Sequence, residues 1–324
     1  MADRIGAISV RLGIGRDNYR IAPGLYALGE PGAASPVLVT CNFKLTVDLL
    51  RRELAGRALW LLVVETYGIN VWCAAGKKSF STEEIAGRVR AAGLEKVVTH
   101  RRLILPQLAA PGVAAQKLRK LCGFSGVFGP VRADDLPAFL DADMHAGPEM
   151  RNVEFKLAER LKVALVEVHG ARKFMGWILA ACFLLALLGP GGFSFAGIAG
   201  AGAGAFGVAL AGFLTGVFIV PAFLRRIPVR AFAAKGLIAG ALMGLLLAAI
   251  LGRAWPEKTA ALMACAAFAS WFAMHYTGST PFTSLSGVDR EMRRYMPVQA
   301  VLIVFATMFW LAWAWWGDSV TRGL

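Results

Sequence analysis

One cysteine in this chain sits where a thiolate could be held ready for chemistry. Residues 66–79 read Thr-Tyr-Gly-Ile-Asn-Val-Trp-Cys-Ala-Ala-Gly-Lys-Lys-Ser. Asn70 is a good helix N-cap, which puts Cys73 at the third helical position. There, free N–H groups and the helix dipole favour an anion. Lys77 follows one turn later, at i+4. Helix terminus and ammonium together are expected to lower the thiol pKa. Gly76 would let the turn end abruptly, and small Ala74 and Ala75 would leave room beside the sulfur. The ensemble is a thiolate offered to something flat and close. A single cysteine in apolar surroundings is more often an inert packing residue. That plainer reading is kept for Cys41, Cys122, Cys182 and Cys265. No C-x-x-C pair occurs, so neither a disulfide framework nor an iron–sulfur cluster is expected on this chain. His100 and His145 lack metal-ligand spacing.

The elements that must position Cys73 read as an α/β domain. Pro36–Thr40 reads as a strand. Thr46 is expected to cap a helix running to about Leu54, with Asp48 in its first turn. Ala58–Glu65 is a continuous apolar run, as in a buried parallel strand. Ser81-Thr-Glu-Glu84 is a capping box opening a helix to about Ala92. Lys96–Thr99 and Leu103–Leu105 look strand-like. Pro111 is expected to start a helix to about Leu121, and a short strand follows near Val127. Asp134 or Asp135 opens a last helix to Leu140, with Arg132 placed for an ion pair. Residues 1–35 are Gly-rich and irregular. Alternating strands and helices with short links argue for a mainly parallel, Rossmann-like sheet. In such sheets ligands sit beyond the carboxyl ends of the strands, where the Cys73 link falls.

The second half has a different composition. Of 324 residues, 57% are hydrophobic and 17% charged, too few charges for a soluble globular enzyme throughout. The first 171 residues carry 23 Lys+Arg and 17 Asp+Glu, and the remainder carries 12 and 4. The basic balance therefore reads as membrane topology rather than nucleic-acid binding. Five segments are expected to span: about 174–189, 198–224, 231–251, 259–276 and 298–317. A charged amphipathic helix, Met150–Val168, should lead into the first. The domains expected are thus 1–150, a 151–171 linker helix and a 172–324 transmembrane domain of five helices.

Basic residues fix the expected orientation. His169, Arg172, Lys173, Arg225, Arg226, Arg230, Lys235, Arg290, Arg293 and Arg294 all flank spans on one side. The positive-inside rule puts the N-terminal domain in the cytoplasm and the C-terminus outside the inner membrane. Residues 1–15 lack the apolar run of a signal peptide. Small residues at four-residue spacing, such as Gly236/Gly240 and Gly240/Gly244, read as close helix packing. No acidic or basic residue lies in the middle of a span, which disfavours ion relays. The Trp310, Trp313, Trp315 and Trp316 cluster reads as an interfacial belt. The hydroxyl-rich 277–287 loop reads as a solvated loop or a docking element.

Four stretches carry a resemblance. Asn70-Val-Trp-Cys-Ala-Ala-Gly-Lys77 resembles the signature of the corrinoid membrane protein of bacterial mercury methylation. Pro36–Thr46 resembles the start of the corrinoid domain in that family and in the corrinoid iron–sulfur protein large subunit. Thr99–Leu108 with Pro111–Val113 resembles its middle. Gly123-Phe124 with Phe128–Pro137 resembles its Gly-Pro-Val-Arg-Ala segment. Cys41 departs from the pattern, which has a small residue there.

The resemblance implies cobalamin bound base-off, with Cys73 as lower axial cobalt ligand on a short cap helix. Thr66, Asn70, Val71, Trp72, Ala74, Ala75, Gly76 and Lys77 would form the cofactor-binding surround. A thiolate ligand should ease departure of a methyl group as a carbanion equivalent. Hg(II), arriving bound to thiols, is a fitting soft acceptor, and the enzyme would be a corrinoid-dependent methyltransferase making methylmercury. A folate-type methyl donor is implied, with a ferredoxin-like partner bearing two [4Fe–4S] clusters as electron donor. Two other readings stay open. One is the same scaffold with a different methyl acceptor. The other is a transporter or membrane scaffold with a regulatory α/β domain and no corrinoid.

Overall fold

In the computed structural model, residues 2–189, 194–251, 254–278 and 285–321 are described. The chain divides into two compact units, Met1–Glu154 and Phe155–Leu324.

Unit 1 is built on five strands: β1 (Gly24–Leu28), β2 (Val37–Cys41), β3 (Leu59–Val64), β4 (Arg102–Leu105) and β5 (Ser125–Phe128). Their order is β1-β3-β2-β4-β5. β1 is antiparallel to β3 at the edge, and every other pairing is parallel. Side chains alternate across the sheet as the period of two requires. Val37, Val39, Cys41, Leu62, Val64, Leu103 and Leu105 face one core. Leu38, Leu59, Leu61, Val63 and Ile104 face the other. Both faces are covered, which explains the continuous apolar runs of β2 and β3. The helices are α1 (Ala2–Arg11), α2 (Lys44–Glu53), α3 (Val71–Gly76), α4 (Thr82–Ala91), α5 (Leu94–Val97), α6 (Ala115–Cys122) and α7 (Leu136–Asp141).

Several expectations are corrected here. Lys96–Thr99 is no strand: Gly93 takes a left-handed conformation (φ 55°) and starts the short α5. Its β-branched run misled because local propensity yields to the turn before it. Thr46 does not cap α2, which begins two residues earlier behind Phe43, and the Thr46 hydroxyl lies instead against the Cys41 thiol. α6 begins at Ala115, not Pro111. The irregular 1–35 stretch contains α1 and the edge strand β1. The Ser81 cap is present, with its hydroxyl accepting from Glu84 N–H at 3.2 Å.

Unit 2 is helical. α8 (Leu157–Ala186) is one continuous helix, so the linker helix and first span are a single element. It begins at Leu157 rather than Met150, because residues 152–156 are non-helical. α9 (Phe195–Leu214) runs through a π-helical turn, Thr215–Ile219, into α10 (Val220–Ala222). α11 (Phe232–Leu251), α12 (Trp255–Thr277) and α13 (Leu285–Thr321) follow.

Among the described residues four segments are long and apolar enough to cross a membrane: Leu157–Ala186, Phe195–Ala222, Phe232–Ile250 and Gly287–Trp313. α12, expected as the fourth span, is not among them. It is the most sheltered helix of the unit, with Cys265, Ala269, Ser270, Ala273 and Tyr276 all at 0% exposure. Gly212, Gly216, Gly236, Gly240 and Gly244 bring neighbouring helices against its backbone. A Cβ on Gly236 would stand 2.4 Å from the Ala269 carbonyl oxygen. A helix wrapped in protein rather than lipid can carry Ser270, His275 and Tyr276. Most of the 277–287 loop, residues 190–193 and the side chains of Trp315 and Trp316 lie outside the described residues.

Candidate functional site

The site is built at the carboxyl edge of the sheet. β2 ends at Cys41 and is followed by Asn42, which is wholly buried. Asn42 Nδ2 donates to Glu65 Oε1 at 2.7 Å. Its Oδ1 accepts from Thr66 N–H (3.2 Å), Thr66 Oγ1 (2.8 Å) and Gly68 N–H (3.0 Å). The Thr66 hydroxyl also lies 2.8 Å from the Ile69 carbonyl oxygen. One buried amide thus ties the end of β2 to the whole link after β3. A buried network of this kind is rigid because every member is costly to leave unpaired. The link needs that support. Tyr67 is a left-handed non-glycine residue (φ 57°), held there by its N–H donating to Glu65 Oε1 at 2.6 Å.

The link delivers α3. Asn70 Oδ1 accepts from Cys73 N–H at 2.9 Å, the cap expected from sequence. Ala74 and Ala75 are buried and turn into the core. Gly112 lets its backbone approach the end of the helix: a Cβ there would meet the Phe80 and Ala75 carbonyl oxygens at 2.6 and 2.8 Å. Trp72, Cys73 and Gly76 are half-buried, Val71 is buried, and Lys77 is exposed as the C-cap. Gly76 stays helical, and the left-handed residue that ends the turn is Lys78 (φ 65°).

The Cys73 thiol corrects one expectation. Its pKa is raised, not lowered. Burial outweighs the pull of Arg16 and, after it, of Lys77. Arg16 belongs to a 3-10 turn and lies over the Phe43 ring at 5.0 Å. Cys41 is raised too, mainly by burial.

Beside α3 a cavity of about 190 Å³ opens between the strand ends. Asn70, Val71 and Trp72 form one wall; Thr40, Pro106 and the Gly129–Ala133 loop are among the others. Cys73 is not in its lining. Arg132 Nε pairs with Asp134 Oδ1 at 3.1 Å at the rim. His100 and His145 are engaged with the Ser35 and Ala142 carbonyls. Among the described residues no three His, Cys, Asp or Glu side chains converge as a metal cage. A metal docked at Cys73 would therefore take one soft donor from this chain and bring its remaining ligands with it.

Sequence reasoning brought Thr66, Asn70 and Cys73 together but missed Asn42, Glu65, Gly112 and Arg16. Asn42 had one usable signal, a polar residue directly after an apolar strand. Gly112 had none beyond Pro111-Gly112, because the approach it permits is long-range.

Residues 15–140 match a family described as CO dehydrogenase/acetyl-CoA synthase delta subunit. The acetyl-CoA decarbonylase/synthase complex subunit gamma of Methanopyrus kandleri is 32% identical over 130 residues, 40% of this chain and 28% of that protein. The subunit gamma 2 of Methanosarcina thermophila is 35% identical over 123 residues, 36% and 25% of the two chains. The corrinoid/iron-sulfur protein large subunit of Moorella thermoacetica is 32% identical over 127 residues, 39% and 28% of the two. The chain spans about a quarter of the length of these relatives. The family match lies within unit 1.

Proposed function

We propose that unit 1 binds a corrinoid over the carboxyl edge of its sheet, with Cys73 Sγ as the lower axial ligand to cobalt. The observation that carries this is a half-buried thiol on a short cap helix held from below by Asn42, Asn70 and Gly112. It lies in a unit related to a corrinoid/iron–sulfur protein large subunit. The donor set fits: one soft sulfur suits a metal already carrying its macrocyclic ligands. Trp72, Val71 and Asn70 form the wall toward the cavity, which is smaller than a usual ligand pocket and would take a side group rather than a macrocycle. Thr66, Ala74, Ala75 and Gly76 set the height of the cap, and Lys77 stands at its exposed end. When bound, cobalamin in its base-off form would accept and release the methyl group.

The chain's own residues govern one proton and one ligand bond. Burial keeps Cys73 Sγ protonated, while Arg16 and Lys77 favour the thiolate. Binding a metal removes that proton, so loading should release it and tighten as pH rises. Cys73 would hold the corrinoid through sulfur, a donor that would favour passing the methyl group to a soft acceptor. Thiol-bound Hg(II) is the acceptor we assign, giving methylmercury, so the chain acts as a methyltransferase. The methyl group would come from a folate-type donor. Electrons would come from a ferredoxin-like protein with two [4Fe–4S] clusters, since no C-x-x-C pair is present here. Unit 2 would hold the site at the inner membrane by five spans, α12 included, with unit 1 in the cytoplasm and the C-terminus outside. Four apolar segments among the described residues support a place in the membrane, and the basic flanking residues are the ground for the orientation.

The test is methylmercury formation by the purified, cobalamin-loaded chain under anaerobic conditions with a chemical reductant and methyl donor. Wild-type protein should turn over, and Cys73→Ala should fall to the protein-free background. Equal activity in both would overturn the assignment. Turnover only with mercury omitted would keep the corrinoid site and reject Hg(II) as acceptor.

A further inference from the structure

α1 presents its apolar ridge away from the unit it belongs to. The side toward the unit carries Gly6 and Val10. A Cβ on Gly6 would stand 3.0 Å from the Tyr19 ring, and Val10 is 2% exposed within the core cluster. A helix packed on a core by that side should place its large aliphatic residues there. Ile5, Ile8 and Leu12 instead lie three and four residues apart on another face, 61%, 58% and 41% exposed. Ile14 is added to the same exposed set by a turn in which its N–H donates to the Ser9 carbonyl at 2.9 Å. It is 51% exposed. Four outward aliphatic side chains on α1 and the turn that follows it form a patch that calls for an occupant. Arg11 is exposed and borders the ridge.

Aliphatic residues along one face with a basic residue at the border match a helix lying in the plane of a bilayer surface. The arginine stem covers hydrocarbon while its guanidinium reaches lipid phosphate. The chain itself carries four segments apolar enough to cross a membrane, so a lipid surface is tethered to this helix and need not be found by diffusion. We propose that α1 is an interfacial membrane helix, with Ile5, Ile8, Leu12 and Ile14 at the acyl boundary and Arg11 on anionic headgroups. The helix is connected to the thiol: the turn after it carries Arg16 over Phe43, and Lys44 N–H donates to the Tyr19 carbonyl at 3.0 Å. Seating α1 in the membrane surface would therefore hold the Cys73 edge of the sheet at a fixed height above the lipid. This inference does not rest on the corrinoid reading.

The test is photo-crosslinking of the full chain in nanodiscs of phosphatidylcholine and phosphatidylglycerol, with a diazirine on the lipid acyl chains and adducts mapped by mass spectrometry. Adducts should appear on residues 5–14 as well as on α11 and α13. Ile5→Asp with Ile8→Asp should remove the 5–14 adducts and leave those on α11 and α13 unchanged. Replacing phosphatidylglycerol by neutral lipid should lower the 5–14 yield about fivefold, and Arg11→Gln should abolish that dependence. Adducts confined to the spanning helices would overturn the proposal. So would 5–14 adducts that persist in the double variant, or crosslinks from this face to a second protein copy in place of lipid.

Discussion

Asn42 in unit 1 and Lys235 in unit 2 are both buried polar side chains, and each sits at the end of a structural element. Lys235 Nζ donates to the Leu224 and Ile227 carbonyl oxygens at 2.8 and 2.7 Å, in the turn that joins α10 to α11. Glu291 likewise accepts from Ala233 N–H at the start of α11. These groups complete helix ends within the helical unit. Asn42 completes no helix; it ties a strand end to a loop so that the loop can hold Cys73. Polar burial in unit 2 closes the structure, whereas in unit 1 it shapes the loop that carries Cys73. That difference makes unit 1 the place to test for the proposed chemistry, even though unit 2 is the longer.

The comparison can be tested by disturbing each unit separately. The largest effect expected is from Gly240→Leu, since even a Cβ there would stand 2.6 Å from the Cys265 carbonyl oxygen. Helix α11 could then no longer lie on α12, at a cost of about 3 kcal/mol. Thermal unfolding in detergent should report this while alkylation of Cys73 stays at the wild-type rate. A changed alkylation rate would mean the two units are not independent.

Asn42→Leu should be nearly as severe, about 3 kcal/mol, because two buried N–H groups lose their acceptor and the Glu65 carboxylate loses one of its donors. In that variant Cys73 should be alkylated faster, since α3 loses its support. Slower or unchanged alkylation would separate the network from the thiol. Asn70→Ala removes one cap and should cost about 1 kcal/mol, read from the same unfolding curve.

The smallest effect is electrostatic. Because burial raises the Cys73 pKa, alkylation by iodoacetamide should go on accelerating with pH past the ordinary thiol value of 9.0 instead of levelling off there. The folded chain keeps this proton to higher pH than the unfolded chain. The associated stability is therefore present below 9.0 and is lost as pH rises through the folded titration. Arg16→Ala should push the midpoint further up and slow alkylation at fixed pH about threefold. A midpoint that moves down would place Arg16 elsewhere.

What could be read from the residues follows the range of the interactions. β2 and β3 were legible because burial on both faces leaves an unbroken apolar run. The Ser81 and Asn70 caps were legible because a cap is decided within four residues. The edge strand β1 was not, since its place depends on pairing with β3 more than thirty residues later. The partners of Asn42 could not be read for the same reason, since they lie 23 to 26 residues away; only its place after an apolar strand was a signal. The sign of the Cys73 shift failed because cap and ammonium are local and readable, while burial is a property of the whole unit. In unit 2 the four apolar segments were plain from composition. The sheltered position of α12 was foreshadowed only by glycines at four-residue spacing on the helices that flank it.

The central claim concerns the bond between Cys73 Sγ and cobalt, and the most direct measurement is the ultraviolet–visible spectrum of the purified chain with cobalamin beside that of Cys73→Ala. The account predicts a base-off, sulfur-ligated spectrum for the wild type that is lost in the variant while the fold is retained. Identical spectra from the two proteins, or no cobalamin retained by the wild type, would contradict it.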